Sequence, residues 1–168
     1  MITLSLYNGH NAAACVMKDG EILLNWELER FTRIKHDYGY NQAFVDKTLD
    51  HCELTMDDID VIITNQHDFD RIPPWKVPST AGCREVEFKI NGRQSYAINH
   101  HLCHVASSYY TSRFSTATII THDAGGDIAS DGSSANLSWA EARGNKITNF
   151  GTERVKKNIG GWWSGITM

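Results

Sequence analysis

Proline is scarce in this chain: three residues in 168, Pro73, Pro74 and Pro78, all within one stretch. Regular structure is therefore expected to stop between His67 and Ser79 and is free to run elsewhere. The four cysteines, Cys15, Cys52, Cys83 and Cys103, include no CxxC pair, which predicts reduced thiols rather than a disulfide framework. A basic excess is also missing, with 16 Lys and Arg against 20 Asp and Glu and a net charge of −4. The cations are scattered, so no track for a phosphate backbone exists and nucleic acid is not an expected partner. No apolar run reaches membrane-spanning length, and the N-terminal residues MITLSLYNGHNAAACVMKDG lack a basic segment followed by an apolar one. A cytoplasmic chain without a membrane partner is the expectation. Internal repeats and low-complexity tracts are absent from the text.

What is present is ordinary for a soluble globular domain or one lobe of a larger one: 41% hydrophobic and 21% charged residues, enough to bury a core. Residues 2–7, 12–17 and 21–28 read as three short strands, the last two joined at Lys18-Asp19-Gly20, so an antiparallel meander opens the fold. Val45, Leu49 and Cys52 recur at helical spacing between Asn41 and Cys52, predicting an amphipathic helix over that sheet. Thr55-Met56-Asp57-Asp58 resembles a capping box with Asp in the usual Glu position and precedes a buried strand at 61–64. A hairpin at 87–98, a helix from Asn99, a strand at 118–122 and a hairpin at 136–150 complete the expectation.

Histidine carries the chemistry. In NHHLCHVASSYY a helix starting near Asn99 sets His100 and His104 one turn apart on one face, opposite an apolar arc of Leu102, Val105, Ala106 and Tyr109. Eight histidines in this length give roughly 0.4 such pairs by chance, so the spacing alone is weak and a solvated face is the default. Asp123, at the end of TATIITHD and before Ala124-Gly125-Gly126, adds a carboxylate and with it the donor set of a metal site. On the wheel His101 points elsewhere, and Cys103 lies off the shared direction, so packing is expected of it rather than ligation. Imidazole and carboxylate suit iron, zinc, manganese or nickel alike.

The text GHNAAACVMKDGEILLNWELERFTRIKHD at residues 9–37 resembles the opening signature of the NodU and TobZ type O-carbamoyltransferases, GHDASAC followed by an acidic stretch ending ERFTRxKHD. HHLCH at 100–104 and THDAGGD at 121–127 resemble that family's HHxxH and VDGxGE motifs, in the same order. The fold implied is α/β: a lobe of the ribonuclease-H-like kind found in the actin, Hsp70 and sugar kinase superfamily, a mixed sheet with flanking helices. On this reading residues 1–168 are the N-terminal lobe of a Kae1-like domain, without its second lobe and the YrdC-like domain.

The resemblance implies transfer of carbamoyl from a carbamoyl-adenylate, made from carbamoyl phosphate and ATP, to a small-molecule hydroxyl acceptor. His100, His104 and Asp123 match the family's metal ligands, with Fe2+ the favoured divalent metal, and a further carboxylate normally comes from the second lobe. His10 matches the histidine near the carbamoyl group, suited to orient the donor or take the acceptor's proton. Lys35 matches the lysine of ERFTRxKHD and is expected to stabilise negative charge on the carbamoyl or phosphate oxygens. Arg33 and His36 stand behind them. Without the resemblance, Lys35 and Arg33 read as solvated charges paired with Glu27 and Glu29.

Three positions depart from the family pattern: Asn11 stands for Asp, Ala124 for Gly and Asp127 for Glu. An amide at position 11 cannot act as a base. The apolar tail, with Trp162, Trp163 and Ile166, is expected either to pack on its own core or to meet a complementing chain or second copy. The alternative to an enzyme lobe is a non-catalytic module that binds metal or a partner.

Overall fold

The computed structural model describes residues 1–9, 11–65, 75, 77–80, 82–126, 133–156, 159, 162 and 166. His10, Asp127, Trp163 and most of the proline-bearing stretch lie outside the described residues. The chain forms two compact units, one of Met1–Ser79 with Glu85–Ile98 and one of Thr80–Arg84 with Asn99–Met168.

The first unit opens with the expected meander, β1 (Ile2–Tyr7), β2 (Ala13–Lys18) and β3 (Glu21–Glu27), each antiparallel to the next. Asp19 and Gly20 join β2 to β3 at φ 51° and 90°, the double left-handed turn that matches the twist of a two-residue hairpin. β4 (Val61–Thr64) then pairs parallel with β1, and β6 (Arg93–Ile98) pairs parallel with β4. β5 (Glu85–Ile90) closes the edge antiparallel to β6, giving a mixed sheet of order β3-β2-β1-β4-β6-β5. Alternation in β1 and β2 buries Leu4, Leu6, Ala14 and Val16 together with Ile62 of β4.

Two helices belong to this unit. The longer, spanning Gln42–His51, is the one the sequence predicts, capped by Asn41 Oδ1 accepting from Phe44 N at 2.9 Å. It lays Phe44, Val45 and Leu49 on the sheet, and burying each contributes about 1.5–3 kcal/mol. A one-turn helix, Glu29–Thr32, precedes it and was not foreseen. In chain order these are α2 and α1. Thr55 and Asp58 make the expected capping box, with Thr55 N donating to Asp58 Oδ2 at 2.8 Å; Asp reaches because the turn it caps is a tight 3-10 one.

The second unit is α3 (His100–Tyr110) with β7 (Thr116–His122), β8 (Leu137–Arg143) and β9 (Lys146–Glu153) in an antiparallel sheet ordered β7-β8-β9. Val105 and Tyr109 of the helix pack on Ile119, Ala140 and Ala142. Its three strands repeat the order of β1–β3, strand, loop, strand, tight hairpin, strand, although the sequence shows no repeat. One difference separates them: β1 lies between β2 and β4, whereas β7 is bonded, among the described residues, to β8 alone. No described helix is long and apolar enough to cross a membrane.

Candidate metal centre

Asn99 starts the helix that carries the histidines. Its side-chain Oδ1 accepts from His101 N at 3.0 Å and Leu102 N at 3.3 Å, fixing His100 as the first helical residue and His104 one turn above it. Leu102, Val105 and Tyr109 are buried as the wheel requires, and the faces carrying His100 and His104 stay accessible enough to bind. Asp123 follows the last residue of β7, with its own N–H bonded to Asn136 O at 2.9 Å.

The three side chains converge. His100 Nε2 and His104 Nε2 stand 2.9 and 3.0 Å from Asp123 Oδ2, and 3.0 Å from each other. Two imidazole nitrogens and one carboxylate oxygen aimed at one point repel unless protons or a cation lie among them. The triangle also has a size. With metal–ligand bonds of about 2.1 Å, adjacent donors lie about 3.0 Å apart on an octahedron and about 3.4 Å apart on a tetrahedron. The observed edges match one face of the octahedron, the arrangement in which two histidines and a carboxylate leave the opposite positions open. The donors present therefore fit a six-coordinate divalent ion. Hydrogen bonds from His100 and then His104 hold the Asp123 carboxyl far below the usual carboxylate range.

His101 is the residue whose importance the sequence understated. It is fully buried, its Nε2 lies 3.0 Å from the Ala135 carbonyl, and its Nδ1 has no partner among the described residues. A carbonyl only accepts, so Nε2 carries the proton. Burial first of all pushes the pKa of this imidazole down, keeping it neutral. The ring also fills the space a side chain at Gly126 would take, since a Cβ there would lie 2.3 Å from His101 Nε2 and 3.2 Å from His100 Cδ2. The signal was in the text as a glycine after Asp123 and a middle histidine, but only tertiary contact joins them. Cys103, expected to serve packing, is instead exposed and stands outside the converging donors, because its direction on the helix misses both the core arc and the histidine face.

Ala124, next to Asp123, lines a surface cavity of about 530 Å³ together with Ser134, Asn136, Val155, Arg154 and Lys156. Both cations are exposed and make no ion pair among the described residues, so the cavity favours an anion.

Lys35 belongs to the first unit. Its Nζ lies 3.1 Å from Glu29 Oε1, with the ammonium end of the pair 71% exposed and the carboxylate end 9%. The pairing named from the sequence as the plain alternative is thus present. Glu29 also accepts from His36 N at 2.9 Å and from Asn11 Nδ2 at 3.3 Å. The His36 N–H first, and the Lys35 ammonium second, hold its carboxyl below the usual range. Trp162 and Ile166 are exposed at 64% and 77%.

No family model matches the chain. It is similar to the nodulation protein NolNO of Sinorhizobium fredii, 28% identical across 72% of this chain and 20% of that protein. It is also similar to an uncharacterized protein of Methanocaldococcus jannaschii, 31% identical across 74% of this chain and 22% of that one. The chain spans about a fifth of the length of the curated relatives it matches.

Proposed function

We propose that this chain contributes the metal-binding portion of an O-carbamoyltransferase, built on a ribonuclease-H-like lobe and passing carbamoyl from a carbamoyl-adenylate to a hydroxyl acceptor. The observation that carries the reading is the triangle of His100, His104 and Asp123 donors with edges of 2.9–3.0 Å. The similarity to NolNO and the strand order β3-β2-β1-β4-β6 support it.

A divalent ion, iron by the family resemblance, would be held by His100, His104 and Asp123 and would supply Lewis acidity toward a carbamoyl or phosphate oxygen. The chain's own residues do the rest. Arg154 and Lys156 bind the anionic part of the donor in the cavity beside Ala124. Lys35, whose Nζ donates to both Glu29 carboxylate oxygens at 3.1 and 3.3 Å, is the cation the family resemblance assigns to negative charge on the carbamoyl or phosphate oxygens. His10, matched to the family histidine, serves the donor or the acceptor.

The test uses the purified chain and Co2+ as an optical probe. One Co2+ per chain with a weak, six-coordinate spectrum is expected, and no stoichiometric binding by a chain carrying both His100→Ala and His104→Ala. Carbamoyl phosphate or AMP should then alter the Co2+ spectrum by entering an open position. Equal metal content in the two chains removes the site, and a spectrum indifferent to both ligands removes the transfer reading.

A further inference from the structure

Asn11 departs from its family's pattern, and the first unit shows what the amide does there. Its Nδ2 donates to Glu29 Oε2 at 3.3 Å, while its Oδ1 lies 3.1 Å from His36 Nδ1. A carboxylate only accepts, so Glu29 dictates which end of the amide faces it. The opposite end is then an oxygen, also only an acceptor, and His36 Nδ1 must carry a proton to bond it. A neutral imidazole protonated at Nδ1 has its lone pair at Nε2. That nitrogen is on an exposed residue and has no partner among the described residues.

The backbone is shaped around this relay. Asn11 and His36 both hold left-handed conformations, at φ 62° and 58°, a region that residues other than glycine enter rarely and that clusters at functional sites. Glu29 is anchored from three sides, by Asn11, by Lys35 Nζ at 3.1 Å and by the His36 N–H at 2.9 Å. An aspartate at position 11 would set a second carboxylate against Glu29 and repel it. The amide is the side chain of that size that bonds a carboxylate at one end and an imidazole N–H at the other.

We infer that His36 is the proton acceptor of this unit, with Asn11 and Glu29 as positioning residues that keep its Nε2 unprotonated and turned outward. The inference rests on the carbamoyl-transfer reading for its substrate, a hydroxyl. In that step the hydroxyl oxygen bonds the carbamoyl carbon as its proton passes to Nε2. The bond from that carbon to the phosphate oxygen breaks, the phosphate leaves with the electron pair, and the imidazolium returns its proton to water.

Long-range proton–nitrogen correlation spectra of the full chain labelled with 15N-histidine read the tautomer directly. Near pH 8, His36 should be protonated at Nδ1 and bare at Nε2. Asn11→Leu should shift the tautomer ratio toward Nε2–H by about five-fold, the effect of one net hydrogen bond. Diethyl pyrocarbonate, which acylates an unprotonated imidazole nitrogen, should modify His36 more slowly in that variant by a similar factor. A wild-type His36 protonated at Nε2 overturns the inference, needs no variant, and leaves the transfer reading untouched. Failure of the Co2+ experiment with donor ligands would sink the transfer reading and leave the tautomer as found.

Discussion

Gly126→Ala is a one-carbon change with a calculable effect. The new Cβ would lie 2.3 Å from His101 Nε2 and 2.7 Å from its Cδ2, where ordinary contact begins at 3.4 Å, so something must move by about 1 Å. His101 is fully buried and tied to the Ala135 carbonyl, so the ring cannot swing aside without breaking that bond. Overpacking costs about 1–3 kcal/mol and a lost buried hydrogen bond about 1–3 more, together about 2–6 kcal/mol. For a unit of this size each kcal/mol lowers the melting temperature by about 4–8 °C, so a fall of at least about 8 °C is expected by circular dichroism. Because the same Cβ would press on His100 at 3.2 Å, calorimetric Co2+ affinity should drop about 10- to 100-fold, as when a ligand's supporting contacts are lost. Gly125→Ala is the control, since its Cβ meets only Ser134 Oγ at 3.2 Å; a change within about 1 kcal/mol is expected. Two alanine variants that melt together and bind metal like the parent would refute the reasoning.

The first unit offers two further tests. Burial pushes the Tyr40 phenol up to about 12 from 10.0, so the folded state keeps a proton that the unfolded chain has released between those values. Its stabilisation is complete below pH 10 and is lost as pH rises toward 12, up to about 2.7 kcal/mol; urea titrations at pH 9 and pH 11.5 should differ in that sense, and Tyr40→Phe should remove the dependence. Thr48 Oγ1 accepts from Trp26 Nε1 at 2.9 Å and donates to Phe44 O at 2.7 Å, so Thr48→Val leaves the indole N–H unpaired. A loss of about 1–3 kcal/mol with a shifted tryptophan fluorescence maximum is expected.

Local signals were legible where one segment held the whole message. Period-two alternation in β1 and β2, helical spacing from Asn41, and the Asp19-Gly20 and Asn91-Gly92 turns each carry their geometry in a few adjacent residues. The His100–His104 pair was readable for the same reason, and Asp123 because a strand end before glycines exposes a carboxylate. The one-turn helix at Glu29–Thr32 was not, because four residues are too few to show a period. The deep burial of His101 and the bond from Asn11 to Glu29 depend on contacts 34 and 18 residues apart, which no window along the chain reports.

The solitary pairing of β7 has a practical side. Among the described residues no second strand pairs with its outer margin, and Ile120 on the same strand is 70% exposed. Such a margin is a template for any extended peptide, including another molecule of the same chain. Concentrated samples are therefore expected to self-associate through added strands, and a lysine in place of Ile120 is the natural way to keep them monodisperse.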